Sequence, residues 1–414
     1  MEIAYNLKYQ KSSFRGRMLL EKEGEIIIYA KGFRLRGKGA GDKGEVVNFS
    51  EIKEFYFRNE KVIFVTFLKE KFVLSDVGTQ FDQLIADLFK ARNEFLADAL
   101  FMKKGKMRAE FEASFERTSK FGRQINKGMG AKVRLYEGSL VILPHLQDAF
   151  SVDFNFIAFQ EFDDMEYKVK MVMDNGTTLF LTQLGDYFEL FEEKFEQCLA
   201  EMYQFVIEKV LREVFPHYNA ATLLKLAYRM KGGKAVSVHD MKDADKELAG
   251  AVSSFVLENE DFRAKMITLL ARCDEYNSLY GVAADKVNKG GFVRYLLLAV
   301  PEKNAVIFSL APRWEGEVVE AYFYRVVMEK GSVVEKLEDK LKEVDNALLS
   351  LDFVKDPCFK DKRELKHSPY LYAIRKMPFL RILRKSYVGK VNAGTPEVFA
   401  AEIEGMLDRC AEVL

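Results

Sequence analysis

Residues 74–84 are Leu-Ser-Asp-Val-Gly-Thr-Gln-Phe-Asp-Gln-Leu, and residues 181–191 are Leu-Thr-Gln-Leu-Gly-Asp-Tyr-Phe-Glu-Leu-Phe. The two stretches share the pattern Leu-[Ser/Thr]-x-[Val/Leu]-Gly-x-x-Phe-[Asp/Glu]-x-[Leu/Phe], displaced by 107 residues. Each follows an alternating apolar run, which is typical of a strand, and opens a segment with apolar residues at helical spacing. The repeat therefore predicts two copies of one domain, in which a strand passes into a helix at Gly78 and at Gly185.

Strand patterns precede the repeated stretch in both copies. In the first copy, a turn at Glu23-Gly24 is predicted to separate two strands. In the second, turns are predicted at Glu137-Gly138 and at Asp174-Asn175-Gly176, where Asn-Gly favours a tight hairpin because it tolerates positive φ. The pattern of each copy thus predicts about six or seven antiparallel strands and one C-terminal helix. Both helical patterns are longer than a single domain needs, so we expect the helices to pack against a neighbouring domain.

This order of elements resembles the pleckstrin-homology and GRAM-like fold, a small bent barrel whose open end is closed by its last helix. The strand-to-helix junction is similar to one in uncharacterised prokaryotic proteins with tandem domains of this kind. The resemblance covers about residues 10–104 and 130–214. Within the repeated stretch, the two glycines permit the turn, and Phe81 and Phe188 are expected to cap the barrel core. The role of this motif is structural.

We therefore expect a multidomain α+β chain. Two tandem pleckstrin-homology-like barrels, residues 1–104 and 105–214, are followed by an α+β domain of unknown role, residues 215–414. In this last part helical patterns come first and strand patterns follow. A degenerate third barrel is the alternative, because residues 391–399 weakly repeat the junction. The spacing differs and the preceding strands are missing, which favours a different fold.

Composition excludes several classes of protein. The chain has 414 residues, and its 63 Lys+Arg balance 63 Asp+Glu, which argues against a surface wholly devoted to nucleic acid. No stretch approaches the ~18 consecutive apolar residues of a transmembrane helix, and the first residues lack the features of a secretion signal. Four scattered cysteines without a C-x-x-C pair match neither a disulfide framework nor a zinc site. We expect a cytoplasmic protein with reduced thiols.

The overall neutrality conceals a difference between the copies. Residues 1–104 carry a net charge of +4, residues 105–214 carry −6, and residues 215–414 carry +2. An acidic second copy between two more basic neighbours favours contacts between domains or between chains.

A glycine-rich loop is the first candidate site. Residues 39–44 match G-x-G-x-x-G, but a dinucleotide fingerprint needs a helix after it, and here a strand pattern follows. The loop is therefore predicted to join two strands. Pleckstrin-homology domains bind phosphoinositides through basic residues on early strands and loops, so the resemblance implies a candidate anion-binding or partner-binding set here: Arg34, Arg36, Lys38 and Lys43.

The densest basic feature is residues 360–390, with ten Lys/Arg against two acidic residues and interleaved aromatic residues. Such a segment could bind an anionic membrane or nucleic acid through charge and stacking. The alternative, which we favour, is a solvated basic face whose aromatic residues belong to the core and whose cations pair with the acidic final helix. An acidic protein partner lies between the two. The candidate residues are Arg375, Lys376, Arg381, Arg384 and Lys385.

Catalytic signals are weak. His217 with His239-Asp240 weakly resembles the His…His-Asp…Asp arrangement of metal-dependent phosphohydrolases, but no later Asp is marked by its spacing. Cys358 and His367 are nine residues apart, and nothing indicates an activated thiol. We assign no catalytic residue, no metal ligand and no cofactor.

The leading hypothesis is a non-catalytic binding or scaffold protein that engages a protein partner or itself. The first alternative is peripheral binding to anionic phospholipid or nucleic acid through residues 360–390. The second is a weakly supported metal-dependent hydrolase in the C-terminal half.

Overall fold

The structure is a computed structural model that describes most of the chain. The described residues are 3–39, 41–212, 215–273, 278–284, 292–312, 317–326, 334–351, 363–365, 370–392 and 394–412. They form an α+β fold of antiparallel sheets and helices. The chain divides into two compact units: the first holds Met1–Cys198 with Pro369–Lys376, and the second holds Leu199–Ser368 with Met377–Leu414.

The first unit begins with one antiparallel sheet and a helix. Its elements are β1 (Ile3–Ser12), β2 (Met18–Tyr29), β3 (Gly32–Gly37), β4 (Glu45–Asn48), β5 (Ile52–Arg58), β6 (Lys61–Thr66), β7 (Lys71–Ser75) and α1 (Phe81–Ala99). The strand order is β4-β3-β2-β1-β7-β6-β5. Strand β3 shows the alternation that specifies the sheet, because Phe33 and Leu35 are buried while Arg34 and Arg36 are exposed.

The second sheet of this unit repeats the first, strand for strand. Its elements are β8 (Met107–Thr118), β9 (Gln124–Tyr136), β10 (Ser139–Leu143), β11 (Phe150–Asp153), β12 (Ile157–Asp163), β13 (Lys168–Met173), β14 (Thr178–Thr182) and α2 (Phe188–Phe205). The N-terminal segment of the first unit ends within α2, at Cys198. The order β11-β10-β9-β8-β14-β13-β12 is that of the first sheet. We call the two sheets with their helices the first and second copies.

The repeated motif forms the same strand-to-helix turn in both copies. Gly78 and Gly185 have φ of +66° and +58°, a conformation that costs little for glycine. Each opens a short 3₁₀ turn that leads directly into α1 or α2. Phe188 is buried, and Phe81 is half-buried and packs against the core of the first copy.

The predicted turn at Glu23-Gly24 is wrong. Both residues lie inside β2, and the hairpin turn falls at residues 13–17 instead. A Cβ on Gly24 would lie 1.9 Å from the carbonyl oxygen of Arg36, so glycine here permits a close approach of strands. The predicted turns at Glu137-Gly138 and Asp174-Asn175-Gly176 are confirmed.

The second unit contains a third antiparallel sheet. Its strands are β15 (Val236–Ser237), β16 (Ser278–Ala284), β17 (Phe292–Val300), β18 (Ala305–Leu310), β19 (Glu320–Arg325) and β20 (Tyr387–Val391), and they pair in consecutive order. This order differs from that of the other two sheets. The described strands therefore do not form a third copy.

Helices make up the rest of the C-terminal half. They are α3 (Ala220–Arg229), α4 (Val238–Ala244), α5 (Lys246–Val256), α6 (Glu260–Leu270), α7 (Val334–Ser350), α8 (Tyr370–Lys376), α9 (Pro378–Ser386) and α10 (Pro396–Ala411). All of these belong to the second unit except α8, which is part of the first. Among the described helices, none is both long enough and apolar enough to cross a membrane.

The third sheet is covered on both faces. On β17, Leu296 and Leu298 belong to the core shared with α3–α6 and α10. The alternate residues point to the opposite face, where the Tyr295 hydroxyl meets Asp345 of α7. Nearly every residue of β17 is buried, as expected for a central strand between two helical layers.

Candidate functional site

The four basic residues predicted around the glycine loop are all exposed. Arg34 and Arg36 project from β3, and Lys38 and Lys43 lie in the loop that follows. Arg36 and Lys38 pair with neighbouring glutamates of β2 at N–O distances of 3.1 and 3.2 Å. Exposed pairs of this kind contribute little energy, so these cations can exchange partners readily.

The glycine loop is closed by its own carboxylate. Asp42 accepts hydrogen bonds from the backbone N–H groups of Gly37 (3.2 Å) and Gly44 (2.9 Å), and it pairs with Lys22 at 2.7 Å. Lys22 and the Gly44 N–H hold the pKa of Asp42 below its ordinary value. Because an internal anion already occupies them, the N–H groups of Gly37 and Gly44 are not free to bind a phosphate.

The structure divides the basic segment 360–390 between the two units. Helix α8 lies in the first unit, whereas α9 lies in the second. On α8, Tyr372 is buried with its ring 5.1 Å from that of Phe95, and Arg375 lies over the ring of Phe67 at 4.6 Å. Lys376 donates a hydrogen bond to the carbonyl oxygen of Lys53, and burial lowers its pKa. Residues Lys360, Lys362 and Lys366 lie outside the described residues.

Helix α9 presents the remaining predicted cations. Leu380 and Leu383 are buried, whereas Arg381 and Lys385 are exposed on adjacent turns. Ile382, between them in sequence, is 60% exposed, and Arg384 is half-buried. This helix therefore combines charge with an exposed apolar side chain.

The two copies of the first unit are joined by buried polar groups of α1. Arg92 is fully buried and donates two hydrogen bonds to Asp148, at 2.6 and 2.8 Å. Asn93 accepts from the N–H of Ala149 at 2.8 Å and donates to the carbonyl oxygens of Pro144 and Gln147 at 2.7 and 3.0 Å. These hydrogen bonds specify one geometry because buried polar groups are costly to leave unpaired, although Nη1 of Arg92 has no partner among the described residues.

An apolar cluster surrounds these polar groups. It is formed by the last turns of α1, by the second copy and by α8, as expected from the length of the α1 pattern: Leu96, Ala97, Met102, Tyr136, Val141, Leu143, Ala149 and Tyr372. We call this cluster, with the Arg92 and Asn93 contacts, the inter-copy junction. It makes the first unit one packed body.

A second repeated feature was not found from the sequence. In the β1–β2 turn, the Ser13 N–H donates to the carbonyl oxygen of Arg17, and the Gly16 N–H donates to the carbonyl oxygen of Ser13. Residues 119–123 make the corresponding two bonds between β8 and β9. Gly16 and its counterpart have φ of +77° and +72°. The sequence signal is Ser-x-x-Gly-Arg at 13–17 and again at 119–123. We call these two turns the hairpin tips.

Both hairpin tips expose apolar side chains beside a cation. Phe14 is 65% exposed and Phe121 is 78% exposed. Arg15 lies 5.2 Å from the Phe14 ring, and Lys120 lies 5.0 Å from the Phe121 ring. The strands beyond the tips expose further apolar residues: Met18, Leu19, Ile125 and Met129. Concentrated exposed apolar surface of this kind marks interaction sites.

The predicted histidine candidates do not assemble a metal site among the residues that the structure describes. His217 and His239 are exposed, and His239 lies 3.9 Å from the Asp243 carboxylate, one turn away on α4. No group of three or more His, Cys, Asp and Glu residues suited to a metal ion occurs in the described ranges. Cys358 and His367 lie outside those ranges.

The second unit contains a buried acid that the sequence did not indicate. The Asp345 carboxyl group lies 2.6 Å from the Tyr295 hydroxyl and accepts the Ala235 N–H at 3.0 Å. Burial raises the pKa of Asp345 to about 6. Because Asp345 is fully buried, we treat it as a structural group whose protonation affects stability.

No protein-family model matches this chain, and no curated protein matches it either.

Proposed function

We propose that this chain is a non-catalytic, cytoplasmic binding or scaffold protein with two tandem pleckstrin-homology-like, GRAM-like domains at residues 1–104 and 105–214. Residues 215–414 would form its third domain. One observation carries the proposal: the same hairpin occurs in both copies, and each tip exposes a phenylalanine beside a cation. The shared order of seven strands followed by a helix supports the assignment to this fold.

The inter-copy junction supports a binding role. The buried hydrogen bonds of Arg92 and Asn93 join the copies into one unit, so the two hairpin tips are carried on a single body. A partner that contacts both tips gains from the second contact without a further loss of translational freedom. A protein partner or a second copy of this chain can supply such a surface.

Peripheral binding to an anionic membrane or nucleic acid is the second candidate. It is favoured by α9, where Arg381 and Lys385 are exposed beside the exposed Ile382. Against it, the α8 part of the basic segment packs into the first unit through Tyr372. Lys376 is likewise half-buried and donates a hydrogen bond to the carbonyl oxygen of Lys53, so part of the basic segment serves contacts within the first unit.

Photo-cross-linking tests the proposal. We expect p-benzoylphenylalanine at position 14 or 121 to cross-link one discrete protein or a second copy. The same group at Leu68 or Met165, which are exposed at 80% and 91% outside the tips, should not. Absence of cross-links, together with a monomer at every concentration in analytical ultracentrifugation, would contradict a binding role. Sedimentation with phosphatidylglycerol vesicles that is abolished by Arg381→Glu with Lys385→Glu would favour the second candidate.

A further inference from the structure

Strands β1 and β8 carry a cation at equivalent positions. Lys11 is opposite Leu20 on β2 and Phe72 on β7. Arg117 is opposite Asn126 on β9 and Leu179 on β14, which are the matching strands of the second copy. Each cation lies two residues before the serine that begins its hairpin tip.

The first copy neutralises its cation with two of its own carboxylates. The Lys11 ammonium lies 2.7 Å from Glu45 at the start of β4 and 3.0 Å from Glu70 just before β7. Burial acts to lower the pKa of Lys11, but the hydrogen bonds that its ammonium donates to both glutamates, together with their negative charge, overcome that effect and raise the pKa. The site in the first copy is therefore closed by carboxylate groups.

The second copy lacks both carboxylates. Phe150 takes the place of Glu45 in the strand register. In the first copy Glu45 begins β4 opposite Leu35, and in the second copy Phe150 begins β11 opposite Ile142. Thr177 takes the place of Glu70, because both make the same turn hydrogen bond. The Thr177 carbonyl oxygen accepts the N–H of Met173 at 2.8 Å, and the Glu70 carbonyl oxygen accepts the N–H of Thr66 at 2.9 Å. An aromatic ring and a hydroxyl thus stand where the first copy has two anions.

Arg117 is left without a carboxylate. Across the described residues, no acidic side chain lies within ion-pairing distance of its guanidinium, and its buried Nε has no hydrogen-bond partner. The guanidinium stacks at 4.6 Å on the Phe150 ring, and burial lowers its pKa. Opposite it, the buried Oδ1 of Asn126 also has no partner. An unpaired buried donor is costly, so a ligand that offers an acceptor to the Arg117 guanidinium is favoured.

We propose that Arg117, together with Phe150 and Asn126, forms a binding site for a carboxylate side chain of an acidic peptide on a protein partner. The ligand carboxylate plays for Arg117 the part that Glu45 and Glu70 play for Lys11, and it accepts hydrogen bonds from the guanidinium beside the Phe150 ring. The amide of Asn126, by rotating, can present its nitrogen as a second donor. The inference rests on the proposed binding function and deepens it, because it names the chemistry of the partner.

The charge of the second copy favours a peptide over a polyanionic surface. Residues 105–214 carry a net charge of −6, which repels an anionic membrane or nucleic acid at long range. A short peptide with one or two carboxylates experiences chiefly the local field of Arg117. The first copy shows directly that carboxylates suit this position.

The test is a titration of the full chain labelled with ¹⁵N-arginine. Its probes are the peptide acetyl-Gly-Glu-Gly-Glu-Gly-amide, inorganic phosphate and phosphatidylglycerol vesicles. We expect the Arg117 Nε–H resonance, assigned by its loss in Arg117→Gln, to shift saturably with the peptide. Phosphate should shift it no more than chloride at equal ionic strength.

Two variants make the result decisive. Phe150→Glu with Thr177→Glu recreates the carboxylates of the first copy and should weaken peptide binding at least about tenfold while keeping the fold. Arg123→Gln, which removes an exposed cation of the same hairpin tip, should weaken it less than about twofold.

The inference is overturned if the Arg117 resonance does not respond to the peptide, or if it responds equally in the double variant. A response to phosphate or vesicles alone would also overturn it, since that would indicate a phosphate or headgroup site. Cross-linking at the hairpin tips could still succeed in any of these cases, so failure here is distinguishable from failure of the proposed function.

Discussion

The protonation of Asp345 should set part of the pH dependence of stability. The Tyr295 hydroxyl lies 2.6 Å from the Asp345 carboxyl and 2.7 Å from the carbonyl oxygen of Gly233. A hydroxyl has one hydrogen, so it can donate to only one of these two acceptors. If it donates to Gly233, a protonated Asp345 completes the set by donating to the tyrosine oxygen. Burial raises the pKa of Asp345 and so favours that neutral form, whereas the hydrogen bonds with Tyr295 and the Ala235 N–H, and then the charges of Lys234 and Lys342, oppose it more weakly.

The size of this effect follows from the pKa values. Burial raises the pKa of Asp345 from 3.8 to about 6. Between these values the folded state holds a proton that the unfolded state has released, so stability falls as the pH rises. The full difference corresponds to about 3 kcal/mol lost by pH 7, at ~1.36 kcal/mol per pH unit. Below pH 3.8 Asp345 is protonated in both the folded and the unfolded state, so it causes no loss of stability.

Asp345→Asn tests this reasoning. The asparagine oxygen can accept the Ala235 N–H, and its NH₂ group can donate to the Tyr295 hydroxyl, as the protonated acid does. We expect the variant to be up to about 3 kcal/mol more stable at pH 7, with a flatter profile between pH 4 and 7. Urea unfolding followed by circular dichroism at pH 4–8 measures both.

The control for this prediction is Asp408→Asn, which removes an exposed carboxylate paired with Lys303 and should change stability by less than about 1 kcal/mol. An Asp345→Asn protein that is less stable at pH 7, with an unchanged slope against pH, would refute the reasoning. That result would mean that the ionised carboxylate is the form which the folded protein needs.

Two further predictions concern the first unit and its repeated turn. Asn93→Ala removes three buried hydrogen bonds and should cost about 3 kcal/mol by urea unfolding, whereas Lys90→Ala on the exposed face of α1 should cost less than about 0.5 kcal/mol; equal effects would contradict a specific polar junction. Gly78→Ala and Gly185→Ala should each lower the free energy of unfolding by about 1–2 kcal/mol because their φ is positive. Gly250→Ala in α5, with open space at its Cβ, should raise it by about 0.5–1 kcal/mol, and a gain at position 78 or 185 would contradict the assigned turn.

The sequence predicted most strands and helices because their burial follows a simple period. Strand β3 alternates and α1 buries every third or fourth residue, so local pattern was sufficient for both. Gly24 was misjudged because glycine serves two purposes, a turn and a close approach of strands. Only the register, which places Gly24 against β3, distinguishes them.

The basic segment 360–390 shows where local pattern is insufficient. Tyr372 is buried, in agreement with the expectation that the aromatic residues of the segment belong to the core. Its partner Phe95, however, lies nearly three hundred residues earlier in the chain and could not be identified from the sequence. A contact of this kind depends on the assembled inter-copy junction, which no window of sequence contains. The remaining cations of α9, Arg381 and Lys385, stay exposed.

The comparison of the copies explains why the Arg117 site was also missed. The repeated motif is visible in the sequence because one continuous stretch must make the same turn twice. The environment of Lys11 comes from three separate segments, at positions 11, 45 and 70, and its counterpart from positions 117, 150 and 177. Matching them requires the strand register of both sheets. Once the two sheets are matched, the second copy is seen to keep the cation and the strand order but to lack the two carboxylates. A ligand specific to the second copy should therefore bind at this position.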